Sequence, residues 1–326
     1  MVIEKILKQL SPKKTRQELK EIQKIKLSPK LLKWIKTYEE FGERNRFLWK
    51  WMYKAVQVVT VPVVPKKYEK SIWRVRTLMI MFITLLDDIA DKTANRVFLN
   101  ELLKIPFEQK NMNLSKLSDK EKRYLFLTKR LWNYLKRNIK KFPRYQEFKE
   151  VFEYDFAQVL NAMRYSQLVN KTSNLINTTE YWQYLPYNMQ GIVSYTIDLM
   201  VSPTFKNKHL GTLREMAWLL QKMSKIGNWV STWEREVKEN DFTSGVIAYA
   251  LDGRAITTDE LTLANATNLI KKIRKSQVEK KLLEEWEKSY YQIKKINKKT
   301  RRVNGKKILV GAEKFLILHL IAKGFI

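Results

Sequence analysis

The feature that most limits what this chain can fold into is its shortage of chain breakers. Nine glycines and eight prolines serve 326 residues. A sandwich or barrel of that length needs a tight turn every ten residues or so, and this sequence has too few turn formers to supply them. Long segments with apolar residues at helical spacing fill the gaps instead. The pattern predicts helices over Lys30–Val59, Tyr68–Lys92, Lys120–Lys140, Tyr145–Val169, Gly211–Asn240, Thr258–Arg274 and Gln277–Asn297. A further helix lies between Pro186 and Pro203, with Gly191 inside it. Breaks fall at Val61–Pro65, at Pro143 and in the polar stretch 170–179. No repeat or low-complexity linker divides the chain, so the reading is all-α, one domain over 1–326, with residues 271–326 closing over the rest.

Composition excludes several chemistries. The chain has no cysteine and only two histidines, His209 and His319. Disulfides, thiolate metal sites and cysteine nucleophiles are therefore absent, and a bound metal should be a hard ion held by oxygen. The formal net charge of +30 invites a nucleic-acid reading,. Its distribution argues otherwise: residues 1–50 carry +8, 51–150 and 271–326 carry +12 each, and 151–270 carry −2. Lysine also outnumbers arginine 46 to 17, whereas base and bidentate phosphate recognition favour arginine,. A solvated lysine-rich surface explains the excess, and nucleic acid is not an expected partner. The apolar C-terminus, ILVGAEKFLILHLIAKGFI, is interrupted by Glu313, Lys314, His319 and Lys323, so it reads as a buried or interfacial helix and not a membrane span,. A cytoplasmic protein, monomer or homodimer, is the expectation.

Two acidic constellations carry the chemistry. The apolar run Leu78–Leu86 leads directly into Asp87, Asp88 and Asp91, three of only nine aspartates in the chain. On a helix Asp87 and Asp91 share a face while Asp88 projects about 100° away. Such a cluster repels itself unless a cation neutralises it, and the apolar run before it places it at the end of a central helix facing a cavity. Further along, Asn228, Thr232 and Glu236 stand four residues apart, so each steps only about 40° around a helix and the three form one stripe,. An amide, a hydroxyl and a carboxylate make an oxygen-only ligand set suited to Mg²⁺. Arg235 and Lys238 beside it would meet an anion held by the metal.

Together, DDIAD and NxxxTxxxE resemble the class I terpene synthase family, bacterial type. The resemblance implies a helical bundle around a central active-site cavity and a Mg²⁺-dependent cyclase acting on a prenyl diphosphate, geranylgeranyl diphosphate first and farnesyl diphosphate next. By it, Asp87 and Asp91 would ligate two of three Mg²⁺ ions, and Asn228, Thr232 and Glu236 the third. Asp88, Arg235 and Arg302 complete the implied catalytic set, with Arg235, Lys238 and Arg302 on the diphosphate. Val303 follows Arg302 where the family often has tyrosine, leaving Arg301 as its alternative. The family's diphosphate-sensing arginine is missing from Tyr181–Gly191; Tyr187 or Asn188 would replace it by hydrogen bonding, or Arg164 from another helix. Phe82, Tyr154, Trp182, Tyr184 and Trp229 are the candidates for steadying a carbocation, with Phe156 and Trp233 beside them. A chain-elongating synthase would show a second aspartate-rich motif in place of Asn228, Thr232 and Glu236. A head-to-head synthase would repeat DxxxD there.

Overall fold

The computed structural model describes residues 2–92, 95–299 and 304–325. The described residues form fifteen α-helices and six short 3-10 turns connected by loops, and they include no strand. In chain order these are α1 (Val2–Lys8), α2 (Pro12–Lys24), α3 (Pro29–Tyr38), α4 (Arg46–Val58), α5 (Lys66–Lys92), α6 (Arg96–Leu103), α7 (Asp119–Ile139) and α8 (Tyr145–Lys171). There follow α9 (Thr178–Tyr184), α10 (Gly191–Leu199), α11 (Leu210–Lys238), α12 (Gly245–Asp252), α13 (Ala266–Lys275), α14 (Val278–Lys299) and α15 (Gly305–Ile321).

Local chemistry explains the boundaries. Ser11 and Ser28 cap α2 and α3 through their side-chain oxygens, and Pro12 and Pro29 fill the first helical turn where no N–H is needed,. Ser118 and Glu121 satisfy each other's backbone N–H at the start of α7,. The helix expected over Lys30–Val59 is two helices, because Asn45 accepts a hydrogen bond from Leu48 N and restarts the chain as α4 after a turn. The expected Thr258–Arg274 helix begins only at Ala266, after two 3-10 turns. Gly191 is not inside a helix but opens α10, after Gln190 turns the chain with φ +48°. At Gly191 an added Cβ would come within 3.0 Å of the Gln221 Cβ, so the missing side chain lets α10 lie close on α11,.

One contiguous apolar cluster runs from Ile3 to Ala322. Within it α5, α10, α11, α15 and α4 form a closed ring, each packed on the next and α4 returning to α5. Among the described residues, no helix is long and apolar enough to cross a membrane.

Candidate active site

The ring encloses a cavity with about 190 Å³ open to the centre of a water-sized sphere. From α5 it is lined by Arg76, Ile80, Ile83, Thr84, Asp87 and Asp91, a single helical face,. From α11 come Leu220, Ser224, Lys225, Asn228, Trp229, Thr232, Arg235 and Glu236, again one face. The wall made by α4 and α15 is apolar and aromatic, with Leu48, Trp51, Met52, Ala55, Val56, Phe315 and His319. Tyr195 of α10 and the break residues Asn188, Met189 and Gln190 close the remaining side.

The two sequence constellations thus line one cavity, and Asp241, in the loop after α11, joins them. Asn170 of α8 ties this corner together: its amide donates to the Asp91 carbonyl at 3.3 Å and to Asp241 Oδ1 at 3.1 Å, and its oxygen accepts from Phe242 N. Asp241 Oδ1 also accepts from the Thr243 backbone and hydroxyl.

The electrostatics are those of crowded carboxylates. Burial pushes Asp87 up to about 6, with Asp88 and Asp241 adding to the rise and Lys225 and Arg44 opposing it. Burial raises Asp91 well above the usual carboxylate range, reinforced by Asp87, Asp241 and Glu236. Burial, then Asp241, lifts Glu236 to about 7 against the pull of Arg235, the Thr232 hydroxyl and Lys225. Asp91 Oδ1 and Asn188 Oδ1 are buried without a hydrogen-bond partner among the described residues. Mutually repelling carboxylates with an orphaned oxygen, next to a neutral amide and hydroxyl, are a donor set fitted to a hard divalent cation. Among the described residues no three acidic or histidine side chains converge at metal-ligand range, so neutral oxygens would have to complete any such site.

The cations of the cavity are only partly those expected. Arg235 lines it, reaching Glu239 at 2.5 Å and Glu236 at 3.8 Å. Lys238 is exposed and outside the lining. Lys225, which the sequence reading missed, is 6% exposed, lies 3.4 Å from Asn228 Oδ1 and stands over the Trp229 ring. It sits one turn before Asn228, so extending the Asn228–Glu236 stripe backwards was the signal that would have found it. Arg44, between α3 and α4, also lines the cavity, from a loop that no spacing rule connects to α5. Arg302 and its alternative Arg301 lie outside the described residues.

Several expected residues are placed elsewhere. Asp88 is not in the lining; it accepts hydrogen bonds from Tyr38 at 2.9 Å and from Arg44 at 3.1 Å, with a 2.9 Å ion pair, and thereby fixes α3 and the Arg44 loop on α5. Tyr187 packs against Trp218, the rings tilted by 50°, outside the cavity, while its neighbour Asn188 lines it. Arg164 is exposed. Phe82 and Phe156 pack with Trp132 behind α5. Tyr154 is 65% exposed. Trp182 donates to the Tyr249 hydroxyl and Tyr184 packs on Tyr165, both behind the wall. Trp233 donates to Glu279. Trp229 alone of these aromatics lines the cavity; Trp51, Tyr195 and Phe315 supply the other rings.

No protein-family model and no curated protein sequence matches the chain. Among solved structures it is similar to isoprene synthase from grey poplar leaves (Populus x canescens), with a TM-score of 0.55 over 89% of this chain at 14% identity. The fold is that of the class I terpenoid synthases. The chain spans about half, 52%, of the poplar protein's length. At this identity the likeness concerns the arrangement of the helices alone.

Proposed function

We propose that the protein is a Mg²⁺-dependent terpene synthase of bacterial class I type, which ionises an acyclic prenyl diphosphate and cyclises the carbocation to a terpene hydrocarbon or alcohol. One observation carries the reading: the Asp87–Asp91 face of α5 and the Asn228–Glu236 face of α11 line a single cavity whose opposite wall is aromatic. A nucleic-acid reading accounts for the surface charge but not for carboxylates turned inward.

Asp87, Asp91, Asn228, Thr232 and Glu236 would hold the ions, three by the family resemblance. Bound there, Mg²⁺ would neutralise the diphosphate as the allylic carbon–oxygen bond breaks. Lys225 and Arg235 orient the diphosphate by charge-assisted hydrogen bonds, with Arg302 as a further contact. Asn188 is the inward-facing replacement for the absent arginine at the helix break. Trp51, Tyr195, Trp229 and Phe315 exclude water and present ring faces to the cation,. Geranylgeranyl diphosphate is the favoured substrate and farnesyl diphosphate the next. The whole chain works as one α domain, its last helix forming part of the wall.

Incubation of the full chain with each diphosphate and Mg²⁺, followed by mass spectrometry of organic extracts, tests this. A hydrocarbon or terpene alcohol is expected. A longer diphosphate would mean chain elongation instead. No turnover, together with salt-sensitive DNA binding, would sink both enzyme readings.

A further inference from the structure

Only one imidazole lines the cavity. His319 of α15 is 2% exposed. The other histidine, His209, lies at the start of α11, outside the lining. The His319 ring is held on three sides. Phe315 packs against it at 4.4 Å between ring centroids, Trp51 meets it edge-on at 5.0 Å, and Trp51 is itself tied to α15 by a 3.0 Å hydrogen bond from its indole to the Leu318 carbonyl. On the third side is Gly227 of α11, where an added Cβ would fall 2.9 Å from His319 Nδ1. The ring thus occupies room that only glycine leaves free.

Its tautomer is fixed as well. Nδ1 lies 3.0 Å from the Phe315 carbonyl, an acceptor, so Nδ1 carries the hydrogen and donates it,. The lone pair is then on Nε2, while the ring's hydrogen bond among the described residues is the one from Nδ1. Burial lowers the ring to about 4, against a smaller opposing effect of the Phe315 carbonyl, so it stays neutral near neutral pH,. The carboxylates of the cavity sit together on the α5 and α11 side, where they are the candidate cation ligands. The Nδ1 hydrogen bond to the Phe315 carbonyl holds the ring in place, and the Nε2 lone pair adds nothing to that packing in an otherwise apolar wall.

We propose that His319 is a catalytic residue, its Nε2 accepting the proton whose loss quenches the carbocation and gives an alkene. The inference rests on the terpene synthase reading above. In the step, a C–H bond beside the cationic carbon breaks, its electron pair becomes the π bond of the product, and the proton forms an N–H bond at Nε2. The imidazolium passes that proton to the released diphosphate or to water as the cavity opens. Low basicity is no obstacle, because a C–H beside a carbocation is a far stronger acid than imidazolium. A weak base also remains unprotonated and ready at working pH.

The test uses His319→Phe and His319→Gln in the full chain, with geranylgeranyl and farnesyl diphosphates and Mg²⁺, measuring inorganic diphosphate release and organic products in the same reactions. Expected is release within about threefold of wild type, with the wild-type alkene falling at least tenfold in favour of alcohols or double-bond isomers. Unchanged products at unchanged release would overturn the base assignment alone. Loss of release in both variants would make His319 a packing residue and overturn it too. Absence of release by the wild type would overturn the terpene synthase reading and this step with it.

Discussion

The two walls of the cavity are built on opposite principles. The α5–α11 wall buries Asp87, Asp91 and Glu236 beside one another and beside Asp241, and burial together with neighbouring negative charge raises the affinity of these three for protons, which costs stability in the absence of a cation,. The α4–α15 wall packs buried Trp51, Ala55 and Val56 and half-buried Phe315 around one imidazole and stabilises the fold by ordinary packing,. A binding surface made of mutual repulsion therefore depends on a packed wall opposite it, and substitutions in the two should fail in different ways.

The largest effects belong to the polar wall and to turnover. Asp87→Ala and Asn228→Ala should each lower diphosphate release by about 100-fold or more while leaving far-UV circular dichroism unchanged. Retained activity in either would break the assignment of that wall. On the apolar wall Trp51→Ala should instead destabilise the protein by about 3–5 kcal/mol, read by chemical denaturation. A loss below about 1 kcal/mol would mean that the α4–α15 contact is not part of the core. Lys225→Met should raise KM for the diphosphate substrate by roughly 10–100-fold, the worth of a charged hydrogen bond. An unchanged KM would remove Lys225 from diphosphate binding.

The smallest effect, and the one that contrasts the walls most cleanly, is the pH dependence of stability. Asp87 and Glu236, at about 6 and about 7 in the fold against 3.8 and 4.5 in their ordinary state, hold protons that the unfolded chain has lost. Their contribution to stability therefore falls as pH rises from about 4 to about 7. His319 has the opposite sign. Lowered from 6.5 to about 4, it refuses a proton that the unfolded chain binds, so its contribution falls as pH drops through that window,. The metal-free protein should lose melting temperature between pH 5 and pH 7.5, and His319→Phe should lose more, because the compensating histidine is gone. Mg²⁺ should restore several degrees at pH 7.5 and little at pH 5. Equal stabilisation by Mg²⁺ at both values would contradict the crowded-carboxylate account.

Helical spacing fixes where a side chain points on its own helix and says nothing about what packs across from it. That is why the all-α fold, the shared face of Asp87 and Asp91, and the stripe from Asn228 to Glu236 were readable. Asp88 was legible in part: its 100° offset from Asp87 already turned it away, although not toward Tyr38 and Arg44. Tyr154 was legible and misread, since it stands about 200° from Phe152 and so opposite the buried Phe148–Phe152–Phe156 face of α8,. Arg44, Asp241, Trp51 and His319 were not legible. They come from loops and from helices far away in sequence, and only the closed ring of helices brings them to one cavity. His319 in particular depends on Gly227, whose lack of a side chain has meaning only once α15 is seen against it.

The central claim is that α5 and α11 share one metal-diphosphate site. It is tested most directly by crystals soaked with Mn²⁺ and inorganic diphosphate and examined for anomalous scattering. The account predicts peaks between the Asp87–Asp91 face and the Asn228–Glu236 face with diphosphate against Lys225 and Arg235. Manganese bound only at the protein surface, or diphosphate held there without metal, would contradict it.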